Sequence, residues 1–180
     1  VGLEGFFNAE ILISAFSFMH TFQILAVYIT QSLGIILFSS GWIALAVEGN
    51  ERSTSRFFKR GYGWGGAMIV SGLCLSVVVD FIKMFMITFT GDSAKSDPLM
   101  MLRMGGDDIA NFEMLKLMQF VLAGWMSLTA YSFFVMGFFM FIKASHRQEG
   151  GGSAAAKFWL SSFILFWGQH TLRGYEIFPT

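Results

Sequence analysis

Apolar positions run along this chain in four long stretches, and charged residues mark where each one begins and ends. No charged residue falls between Glu10 and Glu48. Read as one helix, that stretch is roughly 55 Å long against a bilayer hydrocarbon core of about 30 Å, so it is too long for one perpendicular span. Its first part carries Ser14, Ser17, His20, Thr21 and Gln23, whereas 24–47 is cleaner. The expectation is an interfacial or protein-packed helix running on into a true span. The second stretch opens at Gly61 and is uncharged to Val79. Asp80 and Lys83 follow one turn apart on one helix face, where they can neutralise each other. The pattern predicts that this helix continues through Met84 to Thr90 and stops at Gly91. The third stretch, 117–142, spans easily. The fourth, 158–172, is short unless Lys157 and Arg173 snorkel to the two interfaces.

These stretches predict an all-α, polytopic membrane protein of about four apolar helices, arranged as two helical hairpins with basic connections. The whole of 1–180 is expected to form one membrane-embedded domain. Within it, 1–90 is the first hairpin with its N-terminal helix, 91–116 an outer connection and 117–180 the second hairpin. The two halves share a plan of span, basic connection and span. Gly41-Trp42 stands before the first connection roughly where Gly137-Phe138 stands before the last. Duplication is one reading of this; any two helical hairpins also look alike in this way.

Composition sharpens the class. Charged residues are 13 % of the chain and hydrophobic residues 54 %, where an ordinary soluble domain is roughly a quarter charged. A soluble monomer of this size could not hide so much apolar surface, and a disordered chain would not carry it. Lys and Arg balance Asp and Glu at 12 against 12, so the basic excess of a nucleic-acid binder is missing and no sequence-specific nucleic-acid binding is expected. The lone Cys74 lies in an apolar run and reads as a small buried hydrophobe. The chain opens on Val1, and no basic segment precedes the first apolar run. It therefore reads as a mature chain, from which either a leader has been removed or the start has been trimmed.

Charge also sets the expected topology. The first connection, 48–60, holds four basic and two acidic residues, and the last, 143–157, three basic and one acidic. Between them, 80–116 holds four basic and six acidic residues, and Glu4 and Glu10 make the N-terminal segment acidic. Lys and Arg near span ends stay cytoplasmic. Both basic connections should then lie inside, with the termini and the middle connection outside. Asp107 or Asp108 can cap a helix starting near Ile109, and Leu99 to Met104 fits a short surface helix.

Few residues offer chemistry. There is no nucleophile motif, phosphate loop or dinucleotide fingerprint, and the run Gly61-Tyr62-Gly63-Trp64-Gly65-Gly66 neither follows a strand nor leads into Lys-Ser/Thr. No enzyme activity and no metal site are expected. His20 and His170 both fall toward the outer face. Two histidines on neighbouring helices could ligate a haem iron, or each could hydrogen-bond inside the packed helices. Asp80 and Lys83 are the only charges well inside an apolar stretch. They read either as an ion or proton site or as an interfacial pair at a span end. Gly61 and Gly65, four apart, fit a close helix crossing. Gly41, Gly72, Gly124 and Gly137 add small faces, as do Gly34, Ser71 and Ala123. Close packing within one subunit accounts for these, and so does dense packing of subunit on subunit.

The basic connections say most. Arg52, Arg56, Lys59 and Arg60 crowd into nine residues, and Lys143, Arg147 and Lys157 mirror them, with Gly150-Gly151-Gly152 as a flexible bend. Positive-inside topology alone accounts for them. The sharper reading is that they hold anionic lipid headgroups. Phospholipid is then the only bound small molecule expected, and no cofactor is expected.

The second hairpin, from Phe133-Phe134-Val135-Met136-Gly137-Phe138-Phe139-Met140-Phe141-Ile142-Lys143 through the glycines to Phe158–Trp167, and more loosely Gly41 to Leu75, resembles the pilin-like subunits of type IV secretion and conjugation systems. With two hairpins, the chain looks more like the small polytopic membrane proteins of the type IVB branch, the Dot/Icm and IncI-type conjugation systems. The resemblance implies a subunit held in a bacterial inner membrane and drawn out into a helical cell-surface pilus. Its basic connections would face a phospholipid-lined lumen, and its partners would be copies of itself and other secretion-system subunits. A typical pilin of the class has one hairpin, so a permanent inner-membrane component or small channel stays open, as does a haem-holding redox anchor.

Overall fold

The computed structural model describes residues 9–49, 61–91, 114–146 and 151–174, and all regular structure among them is α-helix. There are five helices among the described residues: α1 (Ala9–Glu48), α2 (Tyr62–Ser76), α3 (Val78–Thr90), α4 (Met114–Ser145) and α5 (Gly151–Gly174). Two of them, over Glu10–Glu48 and Val121–Ser145, are long and apolar enough to cross a membrane; α2 and α3 together make a third candidate if taken as one bent span. The capping expected at Asp107 or Asp108 and the short helix at Leu99 to Met104 lie outside the described residues.

Three elements refine the sequence reading. α1 passes from its polar first part into its apolar second part without interruption. The second stretch is not one helix: it breaks at Val77, and α3 leaves α2 at 85°. The last hydrogen bond of α2 runs from Val77 N–H to Leu73 O and the first of α3 from Phe81 N–H to Val77 O. The β-branched run Val77-Val78-Val79 weakens the helix there, and the Ser76 hydroxyl takes up the Leu73 carbonyl at 2.8 Å. Asp80 then falls in the first turn of α3, where a carboxylate meets the positive end of the helix dipole. Finally, Gly151 and Gly152 open α5 rather than forming a bend. Ala154 to Ala156 follow them, and alanine is the strongest helix former.

Burial departs from that of a soluble bundle chiefly in how much large apolar surface stays open. The covered stripe of α1 includes Phe16, Met19, Gln23, Thr30, Gly34, Gly41 and Ala44, at the three- and four-residue spacing of one helix face. Its open faces carry Phe18, Phe22, Leu25, Tyr28, Ile35, Ile36, Trp42 and Ile43. Small and polar groups fill much of the covered stripe, with Phe16 and Met19 at its start, while large apolar side chains crowd the open faces. Lipid tails solvate such a surface, and close helix contact in lipid comes from small residues and interhelical hydrogen bonds.

The chain divides into two compact units that all the long helices enter. One holds 1–26, 82–131 and 163–180; the other holds 27–81 and 132–162. In the first, Leu12, Phe16 and Met19 of α1 pack with Met118 and Val121 of α4. The same pairing carries on to Gln23 with Ser127 and Ala26 with Tyr131, so these two segments run parallel. In the second, Ala44 of α1, Trp64, Ala67 and Met68 of α2 and Ile142 of α4 form one cluster. Phe81 packs there on Phe134 and Phe138, at ring-centroid distances of 5.8 and 6.3 Å.

Candidate functional site

The site is built on the α1–α2 pairing of the second unit. Gly34 faces Gly72 and Ser76, and Gly41 faces Gly65 and Ile69, so the helices lie antiparallel with backbone against backbone. A Cβ at Gly72 would come within 2.7 Å of Gly34 O and 2.8 Å of Phe38 Cα; one at Gly41 would come within 2.9 Å of Gly65 O. At Gly65 the nearest atom is the flexible Leu45 Cδ2 at 2.8 Å. Gly61 does not belong to this contact. It is the N-cap of α2 at φ 94° and ψ 152°, with nothing within 4 Å of a Cβ. Only glycine adopts that backbone freely, so its role is to turn the chain rather than to pack against a helix. Gly137 accepts the indole of Trp159, which Phe138 and Phe141 flank at 5.3 and 6.0 Å. Gly124 is buried in α4.

The end of this unit is where both basic connections depart. Glu48, last in α1, accepts a 3.3 Å hydrogen bond from Gly61 N–H, which ties the exit of α1 to the entry of α2. A Cβ at Gly63 would stand 3.8 Å from Ser145 O, at the exit of α4. The Trp64 and His146 rings lie 6.5 Å apart. Segments 50–60 and 147–150 therefore both leave from one place in this unit. Lys143 and Lys157 are exposed on α4 and α5. Arg52, Arg56, Lys59, Arg60 and Arg147 lie outside the described residues.

Polar chemistry elsewhere is sparse. In the first unit the Gln23 amide Nε2 donates to Ser127 Oγ at 3.2 Å. Both residues are fully buried, and Gln23 Oε1 has no partner among the described residues. In the sequence Gln23 is one of several marks of a polar first part of α1; its four-residue spacing from Met19 on the covered stripe is the signal for a buried role. His20 stacks on Phe16, with centroids 6.4 Å apart. The side chain of His170 lies outside the described ones. Asp80 is exposed and Lys83 half-buried, and no ion pair joins them. Among the described residues, no group of His, Cys, Asp and Glu is placed to hold a metal ion. Compared with known proteins, the chain matches no family model, no curated protein and no solved structure.

Proposed function

We propose that this chain is a structural, self-assembling membrane subunit of a conjugation or type IV secretion apparatus, pilin-like in using helical hairpins, with phospholipid held at its basic connections. On this reading it resides in a bacterial inner membrane and leaves it as part of a cell-surface pilus. Its partners are its own copies, other subunits of the machine and anionic phospholipid; it has no catalytic role. The observation that carries the reading is the common departure point of the two basic connections, beside Glu48, Gly61, Ser145 and His146. Two cation-rich connections with a shared departure point suit lipid phosphates, which accept charge-assisted hydrogen bonds from Lys and Arg.

The test is lipid stoichiometry. Anionic phospholipid should copurify with assembled protein through detergent washing. Arg56→Gln with Lys59→Gln should insert normally, because Arg52, Arg60, Lys143 and Arg147 still orient the chain, and should lose lipid or fail to assemble. Lipid-free wild-type particles, or unchanged lipid in the double variant, would leave these charges with a topological role alone.

The break at Val77 favours a second reading, a permanent inner-membrane component or small channel of such a machine. Membrane proteins tolerate interrupted helices where the freed backbone is buried in protein or lines a cavity, and ionisable residues at such sites mark pathways. Asp80 stands just past this break. Imaging and immunolabelling of material sheared from cell surfaces separates the two. Filaments containing the protein support the first reading, and complete retention in the inner membrane supports the second.

A further inference from the structure

We propose that the break at Val77 is a two-position hinge, bent in the isolated chain and straight in the assembled particle; the assembled half of this statement rests on the self-assembly reading above. Sharp kinks usually trace to proline, glycine, a π-bulge or an inserted group. Neither proline nor glycine occurs between Gly72 and Gly91. The departure from helix is confined to Val77, at φ −114° and ψ 32°, and its side chain is 45 % exposed, so little packing holds it. Of its two neighbours Ser76 is half-buried and Val78 fully buried, and Leu75, two residues before it, is fully buried.

Length points the same way. With 15 residues in α2 and 13 in α3, each helix is only about 20–22 Å long, well short of a hydrocarbon core of about 30 Å. Joined through Val77 they would measure about 43 Å and cross it. Straightening would also carry Asp80 about 27 Å along the axis from Tyr62, to the far edge of the core. Left at a bend within the apolar layer, the interrupted backbone must instead be satisfied by packing.

The chain itself holds a straight counterpart. Gly34 and Gly41 on α1, seven apart, match buried Ala130 and Gly137 on α4; Gly65 and Gly72 on α2 match buried Ala155 and Ser162 on α5. In that correspondence Val77 falls on Trp167, and α5 passes through Trp167 to Gly174 as continuous helix. The same pattern of covered small residues thus occurs once with a broken second helix and once with an unbroken one.

The hinge is read by pulsed electron paramagnetic resonance with spin labels on Tyr62→Cys and Thr88→Cys in a Cys74→Ser chain. From the 85° bend the backbone separation is about 29 Å, and for one straight helix about 39 Å. Dispersed protein should give the shorter distance and assembled particles, verified by size, the longer. The shorter distance in verified particles would overturn the hinge and leave self-assembly standing. If no particles form, self-assembly fails, and the hinge is decided in dispersed protein by Val77→Ala and Val77→Gly. Alanine favours continuous helix over glycine, so Val77→Ala should show the larger fraction at about 39 Å. A single short distance in both variants would overturn it.

Discussion

One methyl group is enough to separate two helices whose backbones already touch. At Gly72 the added carbon would meet the Phe38 and Gly34 backbone, which can yield only by moving α1 as a whole. Overpacking of this kind costs about 1–3 kcal/mol. Gly72→Ala should therefore lower stability by that amount, measured by unfolding in mixed micelles of rising sodium dodecyl sulfate. Gly66→Ala meets nothing within 4 Å and should be neutral or stabilising by up to about 1 kcal/mol through helix propensity. Gly65→Ala should fall between them, because the obstacle is the mobile end of Leu45. Equal behaviour of Gly72→Ala and Gly66→Ala would place the close contact elsewhere. The small faces at Gly34, Gly41, Gly65, Gly72 and Gly137 could be read from the chain. Their partners could not, because the four-residue spacing of Gly61 and Gly65 fits a close crossing as well as the seven-residue spacing that the interface uses.

At the scale of the helix, the hydrogen bond between Gln23 and Ser127 joins α1 to α4 inside an apolar unit. Ser127→Ala removes the acceptor and strands a buried amide, at a cost of about 1–3 kcal/mol. Gln23→Leu with Ser127→Ala removes both partners and should recover most of that loss. A double-mutant cycle in the same unfolding assay checks this. A coupling energy near zero would mean that the bond contributes nothing to the pairing. The element boundaries show where a sequence is mute. α1 and α4 followed from uncharged length alone. The break at Val77 did not, because Val77-Val78-Val79 is as apolar as the residues around it, and Asp80 read as the end of a span rather than the start of a new helix. The polar pair was equally hidden: Gln23 and Ser127 are 104 positions apart, and nothing local couples them.

For the whole molecule, the parallel course of α1 and α4 in the first unit agrees with the charge pattern, which puts both basic connections on one side of the membrane. Single cysteines introduced in a Cys74→Ser chain test this in intact spheroplasts with an impermeant thiol reagent. Cysteine at Ser55 or Ser153 should stay unlabelled, and cysteine at Ser93 should react. Labelling of Ser55→Cys with protection of Ser93→Cys would reverse the orientation and put the cationic connections outside. The notches of the α1–α2 interface carry a further consequence, for the kinds of mutation this gene can survive. One extra residue between Gly65 and Gly72 turns everything beyond it by about 100° around the helix axis and swings one notch away from its mate, so a single-codon insertion should be lethal to the pairing wherever it falls in that interval. Seven extra residues return the face almost to where it began but carry the far notch about 10.5 Å along the axis, so α1 must gain seven between Gly34 and Gly41 as well. Length variation between related genes should therefore collect in the stretch between Glu48 and Gly61, and between the notches it should come in steps of seven matched in the two helices.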